Sequence, residues 1–355
     1  MKKRLGIIFG GKSDEHEISI LSASSIIDAV DRLKYEVIQI GISKAGGWYL
    51  ITDDMSDISS LSDERIKTLI PSGSERDDAK KLKLGEFADL MDFAFPVLHG
   101  PFGEDGTIQG LFEMLELPYA GCGVTSSALS MDKIFTKEMW IRAGLPVCRH
   151  KAVNAYDIEN NRDAVLKDVE TLLGYPLFIK PANMGSSVGI TKAWNMEELI
   201  NGAYEALNYD SRIIIEEEIK GREFETGVLG NNTVQAAEVG EIVTAGKFYD
   251  YESKYRDGST RLYIPADIPD STVEEVRLLA VKAFKTLDGS GFSRVDFFME
   301  EETGKIYLNE MNTIPGFTRF SMFPLLWKES GLEYGQLIER IIELGYERYY
   351  TKNNR

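Results

Sequence analysis

The sequence predicts an α/β protein of two or three domains that begins with a parallel sheet. Residues 5–42 read as an apolar strand, a glycine-bearing loop, a helix and a second strand, the order of a parallel β-α-β unit. Residues 177–216 follow the order strand, loop, helix and strand, and residues 221–312 are rich in strand patterns. A chain of 355 residues is long enough for two or three compact domains.

Apolar runs and their boundaries predict the elements of the first part of the chain. In order, these are strand 5–9, helix 17–30, strand 35–42, strand 93–97, helix 106–115 and helix 126–143. Ser13 or Asp14 is the predicted cap of the first helix. Residues 51–83 are rich in Asp, Ser and Lys, which predicts a surface excursion. Gly144 and Pro146 end the last helix, because glycine favours a helix terminus and proline cannot continue one.

The same signals predict the second half of the chain. Its elements are strand 177–180, a glycine-rich loop at 183–189, helix 196–207, strand 212–216, strands from 221 to about 264, helix 272–287, a hairpin of strands 291–298 and 306–312, and helix 335–348. We therefore predict an N-terminal α/β domain of residues 1–125, a central domain of residues 126–220 and a C-terminal domain of residues 221–355.

The charge balance limits the partners of the chain. The formal net charge is -17, so nucleic acid and anionic membrane surfaces would be repelled. The N-terminal apolar run of residues 5–9 is too short for a membrane span. Cys122 and Cys148 are the two cysteines and form no C-x-x-C pair, which favours a reducing cytoplasm. Any anionic substrate must then be held by local positive groups.

The hairpin near the end of the chain carries an unusual set of polar residues. Alternation places Arg294, Asp296 and Phe298 on one face of its first strand. On one face of the second strand it places Ile306, Leu308, Glu310 and Asn312. With the turn near residue 303, Asp296 lies opposite Glu310, and facing like charges are destabilising unless a cation separates them. The apolar neighbours indicate burial, so a Mg²⁺ site is favoured over a solvated acidic face.

Other motifs are compatible with phosphate binding, and each also has an ordinary structural explanation. Lys180 ends a strand and leads into the small-residue loop of 183–189, whose backbone N–H groups could surround phosphates. No Walker motif or G-x-G-x-x-G turn is present. Taken singly, the loop could be a plain turn, Lys133 a solvated lysine, and Glu216 part of a charged strand end. Glu15 and Glu104 precede helices, where capping alone would explain them.

In combination and in this order, the motifs resemble the D-alanine:D-alanine ligases, a family of the ATP-grasp fold. They are Gly10-Gly11 with Glu15, His99-Gly100-x-x-Gly103-Glu104-Asp105-Gly106, Met131-Asp132-Lys133, Lys180 with Gly185-Ser186-Ser187-x-Gly189, Tyr249-Asp250-Tyr251-x-x-Lys254-Tyr255, Arg294-x-Asp296, and Asn309-Glu310-x-Asn312-Thr313-x-Pro315-Gly316. They extend from residue 10 to about residue 324. The resemblance implies ATP-dependent joining of two D-alanines through an acyl phosphate, for peptidoglycan precursor synthesis.

The resemblance also implies roles for individual residues. The Mg²⁺ ligands would be Asp296, Glu310 and Asn312, with two ions expected and Mn²⁺ able to substitute. The ATP contacts would be Lys133, Lys180, Ser187, Glu216, Ile219, Glu223 and Lys254. Glu15, Ser186 and Tyr255 would form a trio that orients the substrates, while Arg294 and the Gly316 N–H would stabilise an oxyanion. Glu15, His99, Arg294, Gly316, Ser321 and Met322 would contact the amino-acid substrates. A homodimer is common in the family.

Four other functions compete with this one. Relatives that make D-alanyl-D-lactate tend to carry histidine where this chain has Tyr255, so an amine nucleophile is favoured. Met184, Met322 and the pair Arg319-Phe320 occupy variable positions, which leaves a D-alanine:D-serine ligase open. A nucleotide-binding protein without ligase chemistry is disfavoured by the intact set of charged motifs. A NAD-dependent dehydrogenase would need a glycine fingerprint that the first β-α turn lacks.

Overall fold

Three β-sheets with covering helices organise the chain. The structure is a computed structural model that describes residues 1–53, 55, 58, 60, 62–70, 80–243 and 261–353. Its sheets contain four, four and five strands, and the predicted α/β class is confirmed. Among the described helices, none is long and apolar enough to cross a lipid bilayer.

The first sheet is largely parallel, as predicted. Strand β1 (Lys3–Gly10) pairs in parallel with β2 (Tyr35–Ile42) on one side and with β4 (Phe93–Val97) on the other. The short strand β3 (Trp48–Ile51) adds to β2 in the antiparallel direction. Helix α1 (His16–Ala29) connects β1 to β2. The loops that follow β1 and β4 therefore leave the same edge of the sheet, because the carboxyl ends of parallel strands coincide.

The predicted cap of α1 is wrong. The N-cap residue is Glu15, and no side chain caps the helix. The backbone N–H of His16 donates to the carbonyl of Ser13 at 3.2 Å, which satisfies one helix-end donor locally. The carboxylate of Glu15 therefore remains available for contacts away from its own helix.

The predicted surface excursion at residues 51–83 is wrong in part. Among its described residues, the apolar side chains buried in the core of the first sheet include Met55, Ile58, Ile66, Leu69 and Ile70. Helix α2 (Arg65–Leu69) carries two of them. Apolar residues scattered through a polar sequence show no periodicity, so the sequence pattern does not predict their burial. Their burial is determined by packing on the sheet beneath them.

The long helix predicted for residues 126–143 is two helices. After the 3₁₀ turn (Leu84–Glu86), α3 (Phe87–Leu90) and α4 (Thr107–Met114), the chain forms α5 (Val124–Met131) and α6 (Lys133–Arg142). Asp132 separates the last two and accepts hydrogen bonds from the N–H groups of Ile134 and Phe135, at 3.0 and 3.1 Å. Lys133 is consequently the first residue of a helix and not a mid-helix residue.

The second sheet is antiparallel, with strand order β5-β8-β6-β7. Its elements are β5 (His150–Asn154), α7 (Ala155–Leu173), β6 (Leu177–Pro181), β7 (Thr191–Ala193), α8 (Met196–Leu207) and β8 (Arg212–Glu217). The sequence patterns missed β5 and α7. Both helices pack on the sheet through buried aliphatic side chains such as Leu166 and Leu199. The glycine-rich loop joins β6 to β7 at one end of this sheet.

The third sheet has strand order β11-β10-β9-β12-β13 and is antiparallel. Its elements and the helices that follow are β9 (Gly221–Gly230), β10 (Val234–Val243), β11 (Arg261–Tyr263), α9 (Asp270–Thr286), β12 (Gly291–Glu300), β13 (Ile306–Asn312), α10 (Met322–Glu329) and α11 (Tyr334–Asn353). Helix α10 was not predicted. Phe95 of the first sheet contacts Phe292 and Phe317, so the first and third sheets share one core. The domain boundaries remain a prediction.

Candidate active site

The hairpin of β12 and β13 has the predicted register. Asp296 lies opposite Glu310, and Arg294 lies opposite Asn312. Between Asp296 and Phe297 the register shifts by one residue, so that Phe297 lies opposite Leu308. One residue of β13 is therefore extra, and the strand contains a β-bulge at Asn309.

The bulge changes which side chains share a face. The sequence predicted Ile306 and Leu308 on the same face as Glu310, and this is wrong. Leu308 packs with Phe297 in an apolar core, whereas Glu310 and Asp296 line a cleft on the other side of the sheet. Because strand side chains alternate, an unbulged strand would direct Glu310 into the apolar core with Leu308.

A third carboxylate extends this row across the sheet. Glu225 of β9 lies opposite Asp296, so Glu225, Asp296 and Glu310 occupy adjacent positions on three neighbouring strands. The Arg294 guanidinium donates to both carboxylate oxygens of Asp296 at 2.7 Å and lies 2.9 Å from Glu225 Oε2. Asn312 Nδ2 donates to Asp296 Oδ2 at 3.0 Å. One arginine therefore neutralises two enclosed acids.

The oxygen ligands of this hairpin fit a Mg²⁺ ion that also binds phosphate. Two carboxylates and a carboxamide come from Asp296, Glu310 and Asn312, and Mg²⁺ usually takes one or two protein carboxylates together with substrate phosphates and water. Among the described residues, no group of three or more His, Cys, Asp or Glu side chains is arranged to hold a metal ion by itself.

Most of the predicted nucleotide contacts line one cleft of about 770 Å³ between the second and third sheets. The predicted residues on its surface are Lys133, Lys180, Ser186, Ser187, Glu216, Ile219, Glu223, Asp296 and Glu310. Phe178, Lys192 and Trp194 also line the cleft, and the Lys192 ammonium lies 4.3 Å from the Trp194 ring centroid. The cleft thus combines apolar and aromatic side chains with charges of both signs.

The buried side chain of Glu216, near the end of β8, is in contact with two lysines. Lys180 Nζ donates to Glu216 Oε2 at 2.7 Å, and Lys137 Nζ lies 3.2 Å from Glu216 Oε1. Burial alone would raise the pKa of Glu216, but the ammonium groups of Lys137 and Lys180 outweigh it and hold that pKa well below its usual range. Glu216 is therefore an ionised hydrogen-bond acceptor at neutral pH.

Helix α6 is tied to the glycine-rich loop through Lys133. The backbone N–H of Lys133 donates to the Ala182 carbonyl at 3.0 Å, and its ammonium donates to the Met184 carbonyl. Burial lowers the pKa of the Lys133 ammonium. Ser186 and Ser187 have φ values of 53° and 60°, so two consecutive residues adopt the left-handed conformation that L-residues rarely occupy. Such a tight turn brings the loop over the cleft.

A smaller cavity of about 230 Å³ lies on the other side of this loop. Glu15, Gly100 and Phe102 line it from the loops that follow β1 and β4, and Gly185 and Ser186 line it from the glycine-rich loop. A Cβ added to Gly100 would lie 3.5 Å from Glu15 Oε2, and one added to Gly185 would lie 3.8 Å from the same atom. The Glu15 carboxylate thus lies close to two glycines from different parts of the chain.

Two side chains from the loop after β4 hold the peptide groups of Ile314. His99 Nδ1 lies 3.0 Å from the Ile314 carbonyl, so Nδ1 must donate, and Glu104 Oε1 accepts from the Ile314 N–H at 3.1 Å. Glu104 Oε2 accepts from the Gly100 N–H at 2.8 Å. These hydrogen bonds fix the segment from Asn312 to Gly316 against the loop that follows β4.

The Glu104 carboxyl predicts a specific pH dependence of stability. Burial, followed by the charges of Glu15 and Glu310, raises its pKa from an ordinary 4.5 to about 8. Between these values the unfolded chain loses a proton that the folded chain keeps, so the free energy of unfolding falls as pH rises. In Glu104→Gln this decline should be reduced by up to a few kcal/mol, since one pKa unit corresponds to about 1.4 kcal/mol.

Urea denaturation at several pH values between about 5 and 8 measures this effect. The readout is the slope of the free energy of unfolding against pH. This slope is not affected by a loss of stability that is the same at every pH. Glu159→Gln, at an exposed position of α7, is the matched control and should leave the slope unchanged. Equal slopes for Glu104→Gln and the unmodified protein would contradict a raised pKa.

The remaining predicted substrate contacts lie near the start of α10. The Ser321 hydroxyl accepts from the Thr318 N–H at 3.1 Å, so this hydroxyl already has a local partner. The Met322 side chain is buried, and a Cβ on Gly240 would lie only 2.7 Å from its Sδ atom. The Met322 side chain is therefore enclosed by protein, and its backbone N–H lies in the first turn of α10. The predicted residues Lys254 and Tyr255 lie outside the described residues.

Sequence reasoning missed several charged residues of the site, and Lys137 and Glu225 are the two whose contacts matter most here. Lys137 is one helical turn after Lys133, so its position on the same helix face was a usable signal. Glu225 had no comparable signal, because its contact with Arg294 depends on the register of β9 against β12.

Known proteins that resemble this chain identify first its fold class and then its family. Family models described as D-ala D-ala ligase N-terminus and D-ala D-ala ligase C-terminus match residues 4–122 and 139–343. The crystal structure of the VanG D-Ala:D-Ser ligase from Enterococcus faecalis superimposes with a TM-score of 0.85 at 36% identity, covering 97% of this chain and 100% of that one. The D-alanine-D-alanine ligase from Coxiella burnetii gives a TM-score of 0.82 at 33% identity, covering 99% and 96%. The fold is that of the ATP-grasp ligases.

Sequence relatives agree with the structural ones over nearly the full length. A D-alanine--D-alanine ligase of Thermoanaerobacter sp. (strain X514) is 48% identical over 355 residues, covering 99% of this chain and 98% of the relative. One from Geobacillus thermodenitrificans is 46% identical over 356 residues, with the same coverage. The chain belongs to the D-alanine--D-alanine ligase family.

Proposed function

We propose that this protein joins two D-alanine molecules into D-alanyl-D-alanine, with conversion of ATP to ADP and phosphate, for peptidoglycan precursor synthesis. The observation that carries the proposal is the common cleft that contains Lys180, Glu216, Asp296 and Glu310. Its support from outside the chain is the 48% identity to a D-alanine--D-alanine ligase over nearly the whole length.

The nucleotide is proposed to lie between the second and third sheets. Glu216 and Ile219 would contact adenine, Glu223 the ribose, and Lys133, Lys180 and Lys254 the phosphates, with Ser187 in the loop above. The ionised state of Glu216 supports its part, because a carboxylate can accept a hydrogen bond from an exocyclic amino group. The two described lysines line the cleft and bring positive charge to an acidic protein.

Asp296, Glu310 and Asn312 are proposed to hold Mg²⁺, as two ions, with Mn²⁺ able to substitute. The ions, when bound, would neutralise charge on the phosphates. Arg294 would exchange part of its present ion pairing with Asp296 for contact with a substrate oxygen. Its guanidinium is enclosed on the same sheet face and remains anchored by Glu225, which supports such an exchange.

The proposed reaction has two bond-forming steps. First, a carboxylate oxygen of one D-alanine attacks the γ-phosphorus of ATP, a P–O bond breaks, and ADP leaves with the formation of an acyl phosphate. Second, the amine of another D-alanine attacks the acyl carbon and loses a proton, and phosphate leaves. Arg294 and the Gly316 N–H would stabilise the oxyanion that develops.

Substrate orientation is proposed to come from the small cavity beside the glycine-rich loop. Glu15 would bind the ammonium of the first D-alanine with His99 nearby, and Ser186 and Tyr255 would complete the trio that holds the loops closed. Ser321 and the Met322 N–H would hold the carboxylate of the second D-alanine. Closed loops exclude water from the site. This exclusion protects an acyl phosphate from hydrolysis.

A D-alanine:D-serine ligase is the second candidate, because the VanG D-Ala:D-Ser ligase shares the fold at 36% identity. The test measures ADP release with ATP, Mg²⁺ and D-alanine alone, then with D-serine or D-lactate added, and identifies the products by mass spectrometry. The D-alanine dipeptide is expected from D-alanine alone. No turnover under that condition would exclude the main proposal, and preferential formation of D-alanyl-D-serine from the mixture would favour the second.

We also propose a cytoplasmic homodimer with the three domains predicted above. Cys122 and Cys148 are both buried free thiols, which is compatible with a reducing compartment. Sedimentation equilibrium of the purified protein distinguishes a mass near 80 kDa, about twice the 39.9 kDa of one chain, from that of a monomer.

A further inference from the structure

The environment of Glu216 contains one more cation than a simple ion pair requires. The carboxylate is 3% exposed, and each of its oxygens faces a different lysine: Lys180 at Oε2 and Lys137 at Oε1. A buried carboxylate needs a counter-charge, but a single well-placed ammonium could supply it. The second lysine therefore calls for an explanation.

The two lysines differ in their access to the cleft. Lys180 lines the cleft, with 11% of its side chain exposed. Lys137 is 1% exposed, and its ammonium lies 3.5 Å from Cys148 Sγ and 3.5 Å from the Asn309 carbonyl. Lys180 can therefore turn toward a ligand in the cleft, whereas Lys137 lies behind the cleft residues Cys148, Glu216 and Asn309 and does not line it.

This difference matters when Lys180 binds a nucleotide phosphate. The inference rests on the proposed function, which assigns that contact to Lys180. When Lys180 leaves Glu216, the acid would remain buried without a counter-charge unless another cation stays. Lys137 stays, because it is almost fully enclosed, does not line the cleft, and contacts Cys148 and the Asn309 carbonyl as well as Glu216. Without Lys137, Lys180 would remain paired with Glu216 and would not be available to bind phosphate.

We propose that Lys137 is a positioning residue that keeps Glu216 neutralised and thereby releases Lys180 for the nucleotide phosphates. Lys137 itself touches no substrate in this arrangement. Its effect must therefore appear in affinity for phosphate-bearing nucleotides and not in affinity for the nucleoside alone. A purely structural buried ion pair would not distinguish between the two.

The experiment compares Lys137→Met with the unmodified full-length protein by calorimetric titration with ATP–Mg²⁺ and, separately, with adenosine. The expected result is an increase of about tenfold or more in Kd for ATP, with Kd for adenosine changed less than about threefold. Lys151→Met is the matched control, because Lys151 of β5, in the sheet that contains Glu216, forms an exposed ion pair with Asp168 of α7. It should leave both constants unchanged.

A double variant keeps the proposal testable if Lys137→Met folds poorly. Lys137→Met combined with Glu216→Gln removes both charges, so Lys180 no longer has a carboxylate to hold it. The ratio of ATP to adenosine affinity should then return to within about threefold of the unmodified value. An equal loss for ATP and adenosine in the single variant, or no restoration of the ratio in the double variant, would overturn the proposal.

The same titrations separate this inference from the proposed function. They contain no D-alanine, so the identity of the amino-acid substrate does not affect them. If the unmodified protein binds ATP no more tightly than adenosine, the proposed nucleotide site fails. If it binds ATP more tightly and Lys137→Met preserves that preference, only the role of Lys137 fails.

Discussion

Replacement of Asp296 by alanine should lower kcat by at least about 10³-fold while the protein remains folded. Groups that stabilise transition-state charge typically contribute on this scale, and Asp296 is proposed to hold the ion that neutralises the phosphates. The fold should survive because Arg294 retains Glu225, 2.9 Å away, as its ionic partner. ADP release measures the activity, and circular dichroism during thermal unfolding measures the retention of structure.

Glu302→Ala supplies the control for Asp296→Ala. Glu302 lies in the exposed turn between the same two strands, so this variant also removes one carboxylate from the hairpin. Its kcat should remain within about twofold of the unmodified value. Normal activity in Asp296→Ala would remove this residue from the proposed metal site.

Replacement of Arg294 by methionine should reduce both stability and activity. The arginine neutralises Glu225 and Asp296, whose side chains are only 5% and 12% exposed. Removal of one partner from a buried charged group typically costs about 3–5 kcal/mol, because the remaining charges lose their compensation. Urea denaturation should detect this loss. The loss of an oxyanion-stabilising group should also lower kcat by about 10²–10³-fold.

A second variant separates these two effects of Arg294. In Arg294→Met combined with Glu225→Gln, one of the uncompensated acids becomes neutral, so a substantial part of the stability should return. Activity should stay low, because the guanidinium proposed to meet the oxyanion is still missing. Recovery of kcat together with stability would show that Arg294 serves only as a counter-ion.

The sequence was sufficient to predict the hairpin register but not its faces. The turn near residue 303 and the strand alternation together placed Asp296 opposite Glu310, and the structure has this pairing. The bulge at Asn309 was invisible to the same rule. A single inserted residue leaves no signature in alternation, and its effect is decided by which side chains the core accepts.

Local signals also explain where the element predictions succeeded and failed. Strand 35–42 and helix 196–207 were predicted with their observed bounds, because apolar patterns and turn residues bracket them. The break at Asp132 was missed, although an aspartate before a helical run is an N-cap signal. The burial of Ile66 and Leu69 could not be predicted locally, since it depends on the sheet that covers them.

The sequence by itself determined the order of the motifs, the parallel opening unit and the residue types needed for a phosphate and metal site, because these follow from short-range patterns. Tertiary structure decided which charges meet. Glu216 and Lys137 are separated by 79 residues in the chain, and Arg294 and Glu225 by 69, yet each pair is in contact. Such contacts depend on strand register and on the packing of separate sheets, where burial makes each ion pair depend on all of its neighbours.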